Sequence, residues 1–161
     1  MNYLDLFKGL QDKNVRYLIC GGLAMNLYGV PRMTADIDLL LDLNQSNTDN
    51  FSSVLKEMGY QPVLPMELSS LLEESKRVQL KNEKNLIAFS YYNSISNQMN
   101  IDVLLFSPLL FDDMYEKKVI RHHNDLELYL VCPDDLITLK SHANRVQDNQ
   151  DIQYLKKISG L

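Results

Sequence analysis

The sequence predicts an α/β (α+β) fold, a mixed β-sheet flanked by helices, and three observations predict it. Short apolar runs of strand length recur along the chain, at residues 15–20, 36–43, 86–92, 99–106 and 126–131. Segments with helical spacing or helix-start signals fall between and after them. Some neighbouring runs are joined by short polar turns and others by helix-length stretches. Hairpins and crossovers therefore coexist, and the sheet is mixed.

Taken in order, Leu4, Phe7 and Leu10 share one face of an opening helix. Residues 15–20 form a strand. Gly21 and Gly22 turn the chain into a short helix over 23–28, which Gly29 and Pro31 stop. The second strand covers 36–43, and its near-continuous apolar residues imply burial on both faces. A polar loop, 44–49, leads to a helix over 51–58 that Gly59 closes. A strand is expected over 60–64 and a helix over 68–76. Strands over 86–92 and 99–106 flank the polar turn 93–98, and a short helix covers 108–115. Strands at 118–122 and 126–131 form a hairpin around Asn124 and Asp125. Pro133 opens a helix at its favoured first position, with Asp134 and Asp135 suiting the positive helix end. That helix runs to about Asn144, and a last one covers 151–158. No internal repeat, low-complexity tract or long linker divides the sequence.

At 161 residues and 18.6 kDa the chain is sized for a single domain over 1–161, with a core over about 15–131 and C-terminal helices over about 133–159. Its 45% apolar content suits a soluble globular protein. No apolar stretch approaches the roughly 20 residues that span a bilayer. The first residues lack the basic-then-apolar order of a signal peptide. Cys20 and Cys132 sit in apolar runs and read as buried free thiols of a reducing compartment. A cytoplasmic protein without a membrane partner is expected. The net charge of -5 argues against broad attraction to nucleic acid, though not against a nucleic acid recognised locally.

The chemistry concentrates in YLICGGLAMNLYGVPRMTADIDLLLD, residues 17–42. Asp36 and Asp38 are separated by one residue in a strand, so both project to one side. Like charges held side by side call for a shared cation. Asp102, an acid inside another apolar strand, is the candidate third ligand, because burial there without a partner would be costly. Oxygen-only ligands suit Mg²⁺ or Mn²⁺ rather than zinc. Taken alone, Asp102 reads equally well as a cap or a salt-bridge partner. Gly21 and Gly22 let a backbone approach a ligand closely, and the helix after them offers unpaired N–H groups to phosphate; the plainer reading is a tight turn.

Arg32 could pair with phosphate oxygens, and Thr34 could bond a phosphate or steady its loop. Both also read as ordinary loop residues. Lys140 could reach a triphosphate tail, or belong with Arg145, Asp148 and Asp151 to a solvated, salt-bridged helix pair. His122 and His123 are adjacent on a strand and point to opposite faces, which makes them poor joint chelators; His142 is isolated.

The pattern Gly21-Gly22, then Arg32-x-Thr34-x-Asp36-Ile37-Asp38-Leu39, then Asp102, resembles the DNA polymerase β-like nucleotidyltransferase superfamily. The closest likeness is to its AbiEii-type branch, which includes toxin-like enzymes of toxin–antitoxin and phage-defence systems. The tail DLITLKSHANRVQDNQDIQYL is similar to that branch's helical segment, and the resemblance spans roughly residues 15–155. Gly22 stands where many members carry Ser, and the C-terminal helical part is short.

The resemblance implies transfer of a nucleoside monophosphate from a nucleoside triphosphate to a hydroxyl. It implies two Mg²⁺ (or Mn²⁺) ions held by Asp36 and Asp38, with Asp102 completing the site nearest the nucleophile. It further implies that Gly21 and Gly22 cradle phosphates, that Lys140 supports them, and that ATP or another triphosphate is the donor. The acceptor, whether tRNA, another RNA, a protein hydroxyl or a small molecule such as an aminoglycoside, is left open. So are the base preference and a cognate antitoxin. A member that uses the fold only for binding or regulation is the alternative of another class; all three acids being in place favours the enzyme.

Overall fold

The computed structural model describes residues 3–160. In chain order the elements are α1 (Tyr3–Asp12), β1 (Tyr17–Cys20), α2 (Gly21–Leu27), β2 (Asp36–Leu41), α3 (Gln45–Glu57) and β3 (Tyr60–Pro62). A 3-10 turn (Leu68–Leu71), α4 (Glu74–Lys84), β4 (Ala88–Asn93), β5 (Asn100–Leu104) and α5 (Phe111–Glu116) follow. The chain ends in β6 (Val119–His123), β7 (Leu126–Leu130), α6 (Pro133–Ala143) and α7 (Val146–Ser159). The strands form a seven-stranded sheet in the order β3-β4-β5-β2-β1-β7-β6. β2 is parallel to β5 and β1 to β7, and the remaining neighbours are antiparallel. The mixed sheet predicted from the sequence is present.

Burial explains why the central strands are so apolar. All four residues of β1 are buried, and α1 adds Leu6, Phe7 and Leu10 to the same core. The rings of Phe7 and Tyr17 lie 5.2 Å apart. Phe51 of α3 meets Tyr91 of β4 edge-on at 5.9 Å. Tyr91 pairs with Ile101, and Ile101 with Ile37, so these three share the face that α3 covers. Asp38 and Asp102 alternate with them and leave from the opposite face.

Several boundaries differ from the sequence reading, and four of the differences have a clear local cause. Gly21 and Gly22 are the first residues of α2, not a turn ahead of it. Residues 45–49 are helix rather than loop: Asn44 caps α3 by accepting the Asn47 N–H at 2.9 Å. Their polarity reads as loop, but Asn47 is buried and satisfied by partners distant in sequence. Its amide donates to the Arg16 and Asp42 carbonyls and accepts the Arg16 N–H. The helix expected over 68–76 is two pieces, because the Arg77 guanidinium donates to the carbonyls of Leu71 and Leu72 where the 3-10 turn closes. α7 starts at Val146, five residues early, because the Asp148 carboxylate accepts the Arg145 backbone N–H at 3.0 Å and caps the helix start.

Asparagines in left-handed conformation end α4 (Asn85, φ 54°) and α6 (Asn144, φ 51°), a role glycine fills more often. Among the described residues no helix is long and apolar enough to cross a membrane.

Candidate active site

The sheet register brings the acids together. Asp38 pairs with Asp102 across the parallel β2–β5 ladder, and Asp36 pairs with Asn100 one step earlier on the same face. Ser90 of β4 faces Asp102 from the other side. Burial raises the Asp36 and Asp38 carboxyls above the ordinary 3.8, and the charge of Asp102 raises both further. At Asp38 the Arg145 charge and the Gly22 N–H pull the other way without cancelling the rise. Among the described residues no three His, Cys, Asp or Glu side chains are already gathered as a metal-ligand set. The register aligns the three backbone positions.

These acids line a cleft of about 320 Å³ with Gly21, Gly22, Arg32, Thr34, Lys140, Arg145 and Gln147. Both glycines are required by space. Gly21 has φ +61°, and a Cβ there would lie 1.9 Å from Asp38 Oδ2. A Cβ on Gly22 would lie 2.6 Å from Thr34 Oγ1. Gly21→Ala is therefore expected to displace the Asp38 carboxylate and to cost at least ~1–2 kcal/mol from the left-handed backbone alone. Thermal unfolding checks the cost. A variant as stable as the parent would refute the contact.

Thr34 Oγ1 donates to the Asp36 carbonyl at 2.9 Å, steadying the loop that enters β2. Arg32 is tied by an ion pair to Asp151 of α7. Lys140 is buried, 4% exposed, with its Nζ 2.7 Å from Asp151 Oδ2 and 3.4 Å from Asp148 Oδ1. The helix pair α6–α7 is salt-bridged as one sequence reading had it, but the cluster is buried rather than solvated. Hydrogen bonds from the Arg145 side chain and backbone, with the charges of Arg145 and Lys140, hold Asp148 below the usual carboxylate range although burial pushes it up.

Sequence reasoning passed over Arg145 and Gln147 as lining residues. The signal was the left-handed Asn144 between two helices, which points the start of α7 at the cleft. Cys20 is buried and its thiol donates to the Asp38 carbonyl at 3.4 Å; Cys132, expected to be buried, is only half-buried, and neither is in a disulfide. His122 and His123 are exposed on the edge strand β6.

Two adjacent parallel strands, β2 and β5, carry acids in register, with α2 packed on β1 and β2 beside them, in a mixed α/β sheet consistent with a nucleotidyltransferase fold. The fold is shared with solved structures. The crystal structure of ANT(2")-Ia in complex with adenylyl-2"-tobramycin aligns with a TM-score of 0.56 over 95% of this chain and 84% of that one, at 10% identity. No family model matches the chain, and no curated protein matches it.

Proposed function

We propose that this protein is a nucleotidyltransferase that moves a nucleoside monophosphate from a nucleoside triphosphate to a hydroxyl acceptor. One observation carries the reading: Asp38 and Asp102 are register partners on the open face of the sheet, with Asp36 beside them, at the floor of a polar cleft. The donor set is three carboxylates without thiolate or imidazole, which fits Mg²⁺ or Mn²⁺. Asp36, Asp38 and Asp102 would hold that metal, which supplies charge neutralisation at the attacking and leaving oxygens when bound.

The chain's own groups do the rest. Asp102 accepts the proton of the attacking hydroxyl, whose oxygen bonds the α-phosphorus as pyrophosphate departs. At the start of α2, Gly21 leaves room for the Asp38 carboxylate and Gly22 donates its backbone N–H to it. Thr34 keeps Asp36 at the cleft, while Arg32 holds the loop against α7. Lys140 serves the phosphates through the cluster it holds rather than as a free arm.

The AbiEii-like reading, with an RNA or protein acceptor and a cognate antitoxin, rests on the motif resemblance. A small cationic acceptor is the second reading. It is favoured by the net charge of -5 and by the adenylylated tobramycin named in the neighbouring structure.

The test is calorimetric titration of ATP, CTP, GTP and UTP with Mg²⁺ into the parent and Asp36→Ala. Metal-dependent binding that the variant loses is expected. The preferred nucleotide, α-labelled, is then offered to total RNA and to an aminoglycoside panel. Absence of binding by all four at millimolar concentration would leave a binding or regulatory module as the better account.

A further inference from the structure

The cation expected to meet the triphosphate does not have a free charge. Lys140 lies between two carboxylates and is buried, so reaching a phosphate would strip both Asp148 and Asp151 of a partner. Arg32 is likewise engaged by Asp151, through Nη1, although its Nε is buried without a hydrogen-bond partner. The cluster nevertheless holds three cations, Arg32, Lys140 and Arg145, against two carboxylates, so one positive charge is left over.

Of the three cations Arg145 is the one open to solvent, and its charge already acts on Asp38. Its side chain is 73% exposed, yet its base is fixed: Nε donates to Asp148 Oδ2 at 3.1 Å, and the backbone N–H donates to the same oxygen at 3.0 Å. No hydrogen bond or ion pair among the described residues uses its two Nη atoms. The residue lines the cleft with the three acids, and Gln147 adds an amide beside it.

We propose that Arg145 is the specificity-determining residue of the cleft, reading the terminal phosphates of a nucleoside triphosphate with its free guanidinium fork. This deepens, and rests on, the nucleotidyltransferase reading. A planar fork with two open amines matches a phosphate bidentately, whereas an ammonium acts as a point charge. The buried Lys140–Asp148–Asp151 cluster is then a positioning device. Asp148, held by Lys140, anchors the Arg145 Nε and leaves the far end of the guanidinium to the ligand.

The test compares the parent with Arg145→Gln, titrating with Mg²⁺ the four nucleoside triphosphates and the monophosphate of the preferred base. Arg145→Gln keeps the backbone N–H that caps α7, so the fold is retained, and an unchanged thermal midpoint verifies this. The expected result is at least tenfold weaker triphosphate binding, with monophosphate binding within twofold of the parent. Arg145→Lys, which keeps the charge and loses the fork, should fall between them and decides the matter if Arg145→Gln proves unstable. A parent that binds triphosphate and a variant with the same preference for triphosphate over monophosphate would overturn the role of Arg145 while leaving the nucleotide site intact. A parent that binds no nucleotide would overturn the underlying reading instead.

Discussion

Asp38→Asn is expected to lower nucleotidyl transfer by about 10³-fold while leaving the metal-free protein at least as stable as the parent. The activity loss follows from removing the central oxygen donor of the three. Metal charge stabilisation is worth several kcal/mol in a transition state, and each ~1.4 kcal/mol is tenfold in rate. The stability result follows from the raised carboxyl. Burial first, and Asp102 second, lift Asp38 above the ordinary 3.8. An acid raised in the folded state costs stability once ionised. The cost is full above the folded-state pKa and vanishes below the unfolded value. Asparagine removes that cost, so the variant should match or exceed the parent at pH 7, and the gap should close as pH falls toward 3.8. Added Mg²⁺ should raise the parent's unfolding temperature and not the variant's. Near-parent transfer, or a large loss of metal-free stability, would show that Asp38 serves the fold instead.

Asp151→Ala carries the largest expected effect on stability. Its carboxylate receives both Lys140 and Arg32, and Lys140 has almost no access to solvent. Truncation strands a buried ammonium with only the longer 3.4 Å contact to Asp148. Breaking one side of a buried pair costs about 3–5 kcal/mol. For a chain of this length that is a fall of about 6–20 °C in the unfolding midpoint. The same change frees the loop that carries Arg32 and Thr34, so nucleotide binding should weaken as well. A double variant, Lys140→Met with Asp151→Leu, removes both charges of the Lys140–Asp151 pair and should recover part of the stability. A midpoint within 2 °C of the parent for Asp151→Ala alone would mean that water reaches this cluster.

The strands were the most legible part of the chain. Residues 17–20 and, in β2, Ile37 and 39–41 are apolar because they sit at the centre of the sheet, and burial of that kind writes itself into composition. The acid pair stood out for the converse reason: charge inside such a run demands a partner. Helix α3 was misread at its start because Asn47 and Thr48 are polar yet buried, satisfied by hydrogen bonds that span up to 31 residues. Local pattern holds no record of such partners.

What the sequence by itself determined is therefore the mixed fold, the glycines, and the acids that alternate along β2. Alternation is a property of the backbone, and hydrophobic runs report burial directly. Only the tertiary structure decided that Asp102 is the register partner of Asp38 and that Asp151, 119 residues from Arg32, grips that arginine. It also decided that Lys140 is buried while Arg145 keeps an open guanidinium beside the acids. Those facts depend on how β2 meets β5 and how α7 folds back on the loop before β2. Such pairings are set by packing between segments far apart in the chain, which no local periodicity encodes.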